Sequence, residues 1–244
     1  MYGDVADILS QLVRTALIAP DGQTFSVADF SAIEARVVSW LFEEEWRLEV
    51  FRGDGKIYEA AGARMFNVPI SSVTKGSDLR AKAKNAELAL GYEGALGAMK
   101  RMGGDKMGMS DVEMMSIVKK WRKANPKIVE GWRTVEKCAH EAVRYQRQVV
   151  GPRGLVFDCD GEVCTIKFPS GHTLFYRKPR FRIGDTGFGR QSKVLCYDGI
   201  VQETKQWGDI DTYGGKLTEN IVQAILRDLI GYAMIKLEEN GYGI

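Results

Sequence analysis

The sequence predicts an α+β protein in which helices and strands occupy separate stretches of the chain. Apolar residues recur at helical spacing from about residue 51 to 148, whereas the region that follows contains short alternating runs separated by glycine turns. Hydrophobic residues make up 45% of the 244 and charged residues 27%, proportions typical of a chain that folds around a core. We expect one domain, or one domain carrying a large helical insertion.

The first 50 residues combine helical and extended patterns. They predict a short helix from Asp4 to Val13, an extended strand from Thr24 to Ala28 and a helix from Ser31 to about Val50. Asp29 is therefore expected where a strand leads into a helix. Ser31-x-x-Glu34 also fits a capping box, which would satisfy the first amides of the helix without any catalytic role.

The middle region is predicted to be helical throughout. Amphipathic patterns extend from Asp78 to Met102, from Ser110 to Lys123 and from Pro126 to Gln146. We interpret residues 51–148 as a helical insertion.

Short strands and a final helix are predicted after residue 148. The predicted strands are Leu155 to Asp158, Val163 to Phe168 and Thr173 to Tyr176. The Asp160-Gly161 and Ser170-Gly171 pairs between them favour antiparallel hairpins. The last helix, from Thr218 to Glu239, has apolar residues on much of its surface, so we expect it to be largely buried. Its stop signal at Asn240-Gly241 is followed by what looks like the start of a further element.

Composition argues against several classes of protein. No apolar run approaches the ~18 residues of a membrane span, and the N-terminus has no signal-peptide pattern, so we expect a location in a reducing cytoplasm. The four cysteines form no C-x-x-C pair and His140 and His172 are far apart, which argues against a zinc site. Cys159 and Cys164 flank a predicted turn and should face each other as reduced thiols.

Basic residues occur in clusters although the net charge is only +2. Such clusters suit an anionic partner such as nucleic acid, but they are equally typical of solvated helix faces. The clusters are Arg80, Lys82 and Lys84; Lys100, Arg101 and Lys106; Lys119, Lys120, Arg122 and Lys123; and Arg177 to Arg182.

The segment from Asp29 to Arg36, Asp-Phe-Ser-Ala-Ile-Glu-Ala-Arg, resembles motif A of the family A (DNA polymerase I-like) DNA polymerases. That motif runs Asp-Tyr-Ser-x-Ile-Glu-Leu-Arg. The resemblance implies that Asp29 is a catalytic ligand of two Mg²⁺ ions, which stabilise the attacking and leaving oxygens of phosphoryl transfer. It implies that Glu34 excludes a ribose 2′-hydroxyl. Single-subunit RNA polymerases, the nearest rival family, have no such glutamate.

A second motif follows in the expected order. Arg80, Lys84 and Tyr92 fall on the pattern Arg-x-x-x-Lys-x-x-x-aromatic-x-x-x-Tyr-Gly, which is motif B of the same family. The resemblance implies that Arg80 and Lys84 bind the triphosphate, that Lys84 acts in catalysis and that Tyr92 moves at the templating position. From spacing alone, a solvated basic face explains the two cations equally well.

The chain departs from motif B at two positions. Leu88 replaces the usual aromatic residue that stacks on the nucleotide, and leucine packs but cannot stack. Glu93 replaces the usual glycine, and Gly94, which follows it, can take over the turn. Upstream, Tyr58 stands at the position of a phosphate-contacting histidine, where its hydroxyl can donate one hydrogen bond.

The last helix resembles the palm helix of the family. The resemblance implies that Asn220 and Gln223 contact the minor groove of primer-template DNA, while ordinary i,i+4 pairing of polar residues is an equally good interpretation. Motif C, a hairpin with His-Asp-Glu that carries the second catalytic carboxylate, has no counterpart in these 244 residues.

The resemblance therefore implies part of a right-hand polymerase with a small antiparallel sheet. Residues 1–50 would be the first part of the palm, 51–148 the helical fingers and 149–244 the hairpins and returning palm helix. The expected function is template-directed DNA synthesis from dNTPs on primer-template DNA, with motif C and thumb segments supplied elsewhere in the polymerase or by a second chain. The hairpins within residues 145–215 resemble those of the phage and prophage branch, whose location is the bacterial host cytoplasm. A non-catalytic nucleic-acid-binding module stays open as an alternative.

Overall fold

The computed structural model describes residues 9, 12–185, 191–202 and 204–244, and its chain forms two compact units, Met1–Ser31 and Ala32–Ile244. In the first unit Val13–Ala16 forms a 3₁₀ turn. The predicted strand from Thr24 to Ala28 is wrong, since these residues are exposed and pair with no strand among the described residues. Most of the helix predicted from Asp4 to Val13 lies outside the described residues.

The second unit combines helices with one antiparallel sheet, as the predicted α+β class requires. None of the described helices is long and apolar enough to cross a membrane. Within the described residues the helices are α1 (Ile33–Phe42), α2 (Glu45–Arg52), α3 (Ile57–Phe66), α4 (Asp78–Leu90), α5 (Leu96–Arg101), α6 (Asp111–Ala124), α7 (Pro126–Tyr145) and α8 (Gly214–Glu239). The strands are β1 (Val149–Val150), β2 (Val156–Cys159), β3 (Val163–Lys167), β4 (Thr173–Asp185), β5 (Gln191–Ile200) and β6 (Trp207–Thr212).

The helix predicted from Ser31 to Val50 is two helices. The chain leaves α1 at Glu43, whose φ of 57° is left-handed and cannot continue a right-handed helix. The predicted capping box is also wrong, because the N-cap of α1 is Ala32, at φ 50° and without a side-chain cap bond. A true side-chain cap occurs at α6, where Ser110 Oγ accepts from the Glu113 amide at 3.2 Å.

The six strands form one sheet in chain order. The predicted hairpins are confirmed, with Cys159 opposite Cys164 in the β2–β3 pair and both thiols free and buried. Strand β4 runs well past the predicted end at Tyr176, and β5 and β6 were not predicted. In this extension Arg182 pairs with Asp211 of β6 at 2.5 Å, so part of the Arg177–Arg182 cluster is neutralised by a neighbouring strand.

Helix α8 is buried along its first half only. Residues up to Leu226 pack into the core, whereas Leu229, Tyr232 and Ile235 are 42%, 62% and 57% exposed. The prediction of a largely buried helix is therefore wrong beyond Leu226. The apolar stripe continues along the sequence, but the other helices and the sheet cover only the N-terminal turns of α8.

A buried ion pair joins the helices near the middle of the second unit. Arg47 on α2 makes two hydrogen bonds to the carboxylate of Glu87 on α4, with N–O distances of 3.0 and 2.5 Å. Their side chains are 1% and 2% exposed. A bidentate arginine–carboxylate pair is among the strongest hydrogen-bonded arrangements, and burial keeps water from competing for it.

Three further side chains form hydrogen bonds with this pair. Arg47 Nε donates to Ser39 Oγ of α1 at 2.8 Å, and Nη1 donates to Asn125 Oδ1, between α6 and α7, at 3.0 Å. Trp121 of α6 donates its indole N–H to Glu87 Oε1 at 2.8 Å. We call these five side chains the Arg47 network, and it fixes four helices and the α6–α7 junction relative to one another.

We expect Arg47→Met to destabilise the fold by about 3–5 kcal/mol, because it leaves the Glu87 carboxylate buried without a cation. Urea unfolding followed by circular dichroism measures this change. Arg52→Met is the matched control, since Arg52 lies on the same helix and pairs with Glu45 in solvent. Equal losses of stability in the two variants would contradict the assigned importance of the buried pair.

Candidate nucleotide-binding site

Arg80 is held in place on α4 by an acidic and an aromatic residue. Its Nε donates to Glu59 Oε1 at 2.6 Å, and its guanidinium carbon lies 5.4 Å from the centre of the Tyr58 ring. Both partners lie on α3. The sequence analysis missed Glu59, and no local signal could have found it because it lies 21 residues away along the chain.

The other two basic residues of α4 differ in their surroundings. Lys82 Nζ lies 2.7 Å from the carboxylates of both Asp78 and Glu113. Lys84 is exposed and has no salt-bridge partner among the described residues. It is thus the cation of this helix that is available to an external anion.

Four of the six predicted nucleotide-binding residues line one cavity of about 210 Å³. The other two, Arg80 and Lys84, lie on α4 outside the lining. The lining residues are Ala32, Ile33, Glu34, Ala35, Val38, Arg47, Tyr58, Glu87, Leu88, Gly91 and Tyr92. We call this space the Glu34 cavity.

The Glu34 carboxylate joins two distant segments of the second unit. Tyr92 Oη, just after α4, donates to Glu34 Oε2 at 3.4 Å, and Gln223 Nε2 of α8 donates to Oε1 at 2.8 Å. Burial, together with the negative charges of Glu34 and Glu219, raises the pKa of Tyr92. Tyr92 is therefore a neutral donor to this carboxylate over the ordinary pH range.

The remaining predicted residues occupy varied positions. Asn220 donates to Tyr176 Oη at 3.1 Å and is half-buried, while Leu88 is 51% exposed at the cavity. Asp29 is exposed and belongs to the first unit. Their predicted roles in binding DNA, nucleotide and metal stay predictions.

The turn after α4 is built on Glu93 rather than on Gly94. Glu93 has a φ of 64°, the left-handed conformation that glycine adopts most easily, and Gly94 has no positive φ. Gly94 is required for a different reason, because a Cβ there would lie 1.9 Å from the Ala89 carbonyl oxygen. The expectation that Gly94 takes over the turn is therefore wrong.

Glu93 also caps the helix that carries Gln223. Its Oε2 accepts from the Gly215 amide in the first turn of α8 at 3.0 Å, and the Gly214 amide bonds to Glu136. Carboxylates at a helix N-terminus satisfy free amides and interact favourably with the helix dipole. Sequence reasoning treated Glu93 only as a departure from a motif and missed this role.

The close approach at this junction depends on glycine. A Cβ at Gly215 would lie 2.4 Å from the Tyr92 carbonyl oxygen, and one at Gly214 would lie 2.2 Å from that of Trp132. Arg122 completes the junction by donating to the carbonyl of Glu93 at 3.3 Å. The α4–α5 turn and the start of α8 are thus in direct backbone contact.

Comparisons with known proteins support the family that motifs A and B indicate. Residues 5–162 match the sequence profile of DNA polymerase family A. A DNA polymerase of Bacillus phage SP02 is 50% identical over 242 residues. The chain belongs to DNA polymerase family A. The matched segment is 99% of this chain and 37% of the phage protein.

More distant members of family A share shorter segments. DNA polymerase I of Pseudomonas aeruginosa is 35% identical over 91 residues, which are 37% of this chain and 10% of that protein. The thermostable DNA polymerase I of Thermus aquaticus is 27% identical over 161 residues, 65% of this chain and 18% of that protein. The chain therefore spans a minor part of the length of each relative.

Glu93→Gln should flatten the pH dependence of stability. Burial is the main cause that raises the pKa of the Glu93 carboxyl above its ordinary value of 4.5. The folded protein then retains this proton to higher pH than the unfolded chain does. The stability that this protonated carboxyl contributes is therefore fully present below pH 4.5 and is lost as the pH rises through the raised pKa. The glutamine oxygen can still accept from Gly215, so the variant should fold.

Urea unfolding at a series of pH values from about 4.5 upward measures the slope of the unfolding free energy against pH. Glu238→Gln, in the exposed last turn of α8, is the control that changes the same chemical group. Slopes that flatten equally in both variants, or in neither, would contradict the prediction.

Proposed function

We propose that this chain supplies the nucleotide-binding part of a template-directed DNA polymerase, which adds dNTPs to the 3′-hydroxyl of a primer. The observation that carries the proposal is the Glu34 carboxylate, which lines the cavity together with Tyr92 and is hydrogen-bonded by both Tyr92 and Gln223. These three residues come from motif A, motif B and the last helix. Their convergence is what a site joining nucleotide, template and primer needs.

The proposed role of Glu34 is to discriminate against ribonucleotides. A carboxylate held between Tyr92 and Gln223 cannot easily move aside, so a sugar with an additional hydroxyl would meet it. Leu88, exposed at the same cavity, is proposed to pack against the nucleotide as an aliphatic surface. Tyr58 and Gln223 are proposed to contact phosphate and DNA respectively.

Lys84 and Arg80 are proposed to bind the triphosphate. Lys84 has no competing carboxylate among the described residues, and neutralising phosphate charge is the main task of a protein in phosphoryl transfer. Arg80 must exchange Glu59 for phosphate before it can contribute. We therefore assign the initial contact to Lys84.

Divalent metal ions are the cofactors that family A membership favours, with Mg²⁺ the proposed ion and Asp29 the proposed ligand. The described residues contain no group of three or more His, Cys, Asp or Glu that could hold a metal ion. The described residues therefore do not form a complete metal site by themselves.

The palm and fingers assignments are part of the same proposal. The described part of residues 51–148 is helical with connecting turns, which suits a fingers subdomain, and the helix α8 with its neighbouring hairpins suits a palm. Residues 1–50 are proposed to begin the palm. Primer-template DNA and dNTPs are the proposed partners.

Lys84→Ala should weaken dNTP binding by about 10- to 100-fold, the value of one hydrogen bond to a charged group. Fluorescence titration of the 244-residue chain with a labelled dNTP measures the Kd. Lys123→Ala is the matched control, because Lys123 is an exposed lysine without an ion pair among the described residues, on α6. Unchanged binding in Lys84→Ala would overturn the triphosphate assignment.

Glu34→Ala should reduce discrimination against ribonucleotides by about tenfold or more. The assay uses a chimaera in which this chain replaces the matching segment of the SP02 phage polymerase, to which it is 50% identical. Primer extension with dNTPs and with rNTPs gives the ratio of kcat/KM values. Glu238→Ala in the same chimaera controls for a lost surface carboxylate, and a ratio unaffected by Glu34→Ala would contradict the role of Glu34.

A further inference from the structure

A groove of about 360 Å³ lies along α7, on residues that do not line the Glu34 cavity. We call it the α7 groove. Its lining residues are Arg133, Glu136, Lys137, His140, Glu141, Arg144 and Tyr145.

The basic residues of the groove form a single row. Arg133, Lys137, His140 and Arg144 follow one another at steps of three or four residues, which places them on one face of α7. At a rise of 1.5 Å per residue the row is about 16 Å long. That length corresponds to about five stacked nucleotides of one strand.

The cations of the row form no salt bridges with the described residues. Arg133, Lys137 and Arg144 are exposed, and none of them forms a salt bridge with any residue that the structure describes. This contrasts with Arg180 on the sheet, which pairs with Asp198 at 2.8 Å. The charge of Arg133 acts at the Glu93 carboxyl, where it opposes the effect of burial on the pKa, but no salt bridge to a described residue neutralises the row.

Both acidic residues of the groove are engaged elsewhere. Glu136 bonds to the Gly214 amide at the start of α8, and burial raises its pKa. Glu141 pairs with Arg147 at 3.1 Å. Their charges are used to cap a helix and to hold another arginine, so the groove as a whole favours anions.

An aromatic ring brings one further cation, Lys193, to one end of the row. The guanidinium of Arg144 and the ammonium of Lys193 lie 5.7 and 5.3 Å from the centre of the Phe181 ring, and His140 packs edge-on against it at 5.1 Å. Burial and the Arg144 charge lower the pKa of His140. Phe181 thus extends the positive surface from α7 onto the sheet.

We infer that the α7 groove binds one strand of single-stranded DNA, with Arg133, Lys137 and Arg144 on phosphates of its backbone and Tyr145 against an unpaired base. A single row of cations suits one backbone rather than the two of a duplex. Tyr145 is 58% exposed at the end of the row, and only an unpaired base offers a free face for stacking on it. The identification of this strand as the template rests on the proposed function, whereas the binding itself does not.

The test measures binding of the 244-residue chain to a fluorescein-labelled oligothymidylate by anisotropy, over a range of salt concentrations. The double variant Arg133→Ala/Lys137→Ala should bind more weakly, with a slope of log K against log salt that is smaller by about 1.4, at ~0.7 for each lost phosphate contact. Tyr145→Leu should bind about tenfold more weakly with an unchanged slope. Unfolding curves of each variant confirm that it is folded.

Lys119→Ala/Lys123→Ala is the matched control, because it removes the same charge from exposed lysines at the same spacing on α6. If this control lost as much affinity for the oligothymidylate as the α7 variant, the inference would be overturned, because the effect would then come from net charge. If the α7 variant lost as much affinity for a DNA duplex of the same length, the assignment to single-stranded DNA would be overturned. Lys84→Ala could leave dNTP binding unchanged while the α7 variant still binds single-stranded DNA more weakly. That result would contradict the proposed nucleotide site and support the assignment of the α7 groove.

Discussion

The buried pair of Arg47 and Glu87 is the interaction on which the arrangement of the helices depends. Removing two charges from water is costly, and the cost is offset because each nitrogen and oxygen of the two charged groups has at least one hydrogen-bond partner. Those partners come from α1, α6 and the α6–α7 junction. Since Arg47 and Glu87 also line the cavity that contains Glu34, the network that holds the helices together also shapes the candidate site.

A second constraint joins the end of α4 to the start of α8. The left-handed Glu93 turns the chain, its carboxylate caps α8, and Gly215 lets the two backbones touch. Tyr92 and Gln223 are thereby fixed on the two sides of this junction, and both reach Glu34. A residue that departs from the family pattern thus performs a structural task that a glycine at the same position could not perform.

Charge pairing separates the basic surfaces that look alike in the sequence. On α4 the cations Arg80 and Lys82 are occupied by carboxylates, whereas Lys84 is not. The sheet cluster around Arg182 is neutralised by β6, whereas the row on α7 is not. Cations without a salt bridge to the described residues are therefore found at Lys84 of α4 and along the α7 row, and residue type alone does not reveal those places.

The sequence by itself determined the family, the α+β class, the hairpins around Asp160-Gly161 and Ser170-Gly171, and most of the helices. These features depend on local periodicity, turn residues and motif spacing, all of which involve residues close together in the sequence. Only the tertiary structure decided that Glu87 pairs with Arg47, that Glu93 caps α8 and that α8 is exposed beyond Leu226. The physical reason is that burial and pairing depend on groups far apart in sequence. Gly215 lies 122 residues from Glu93, and no local sequence pattern indicates that the two residues are in contact.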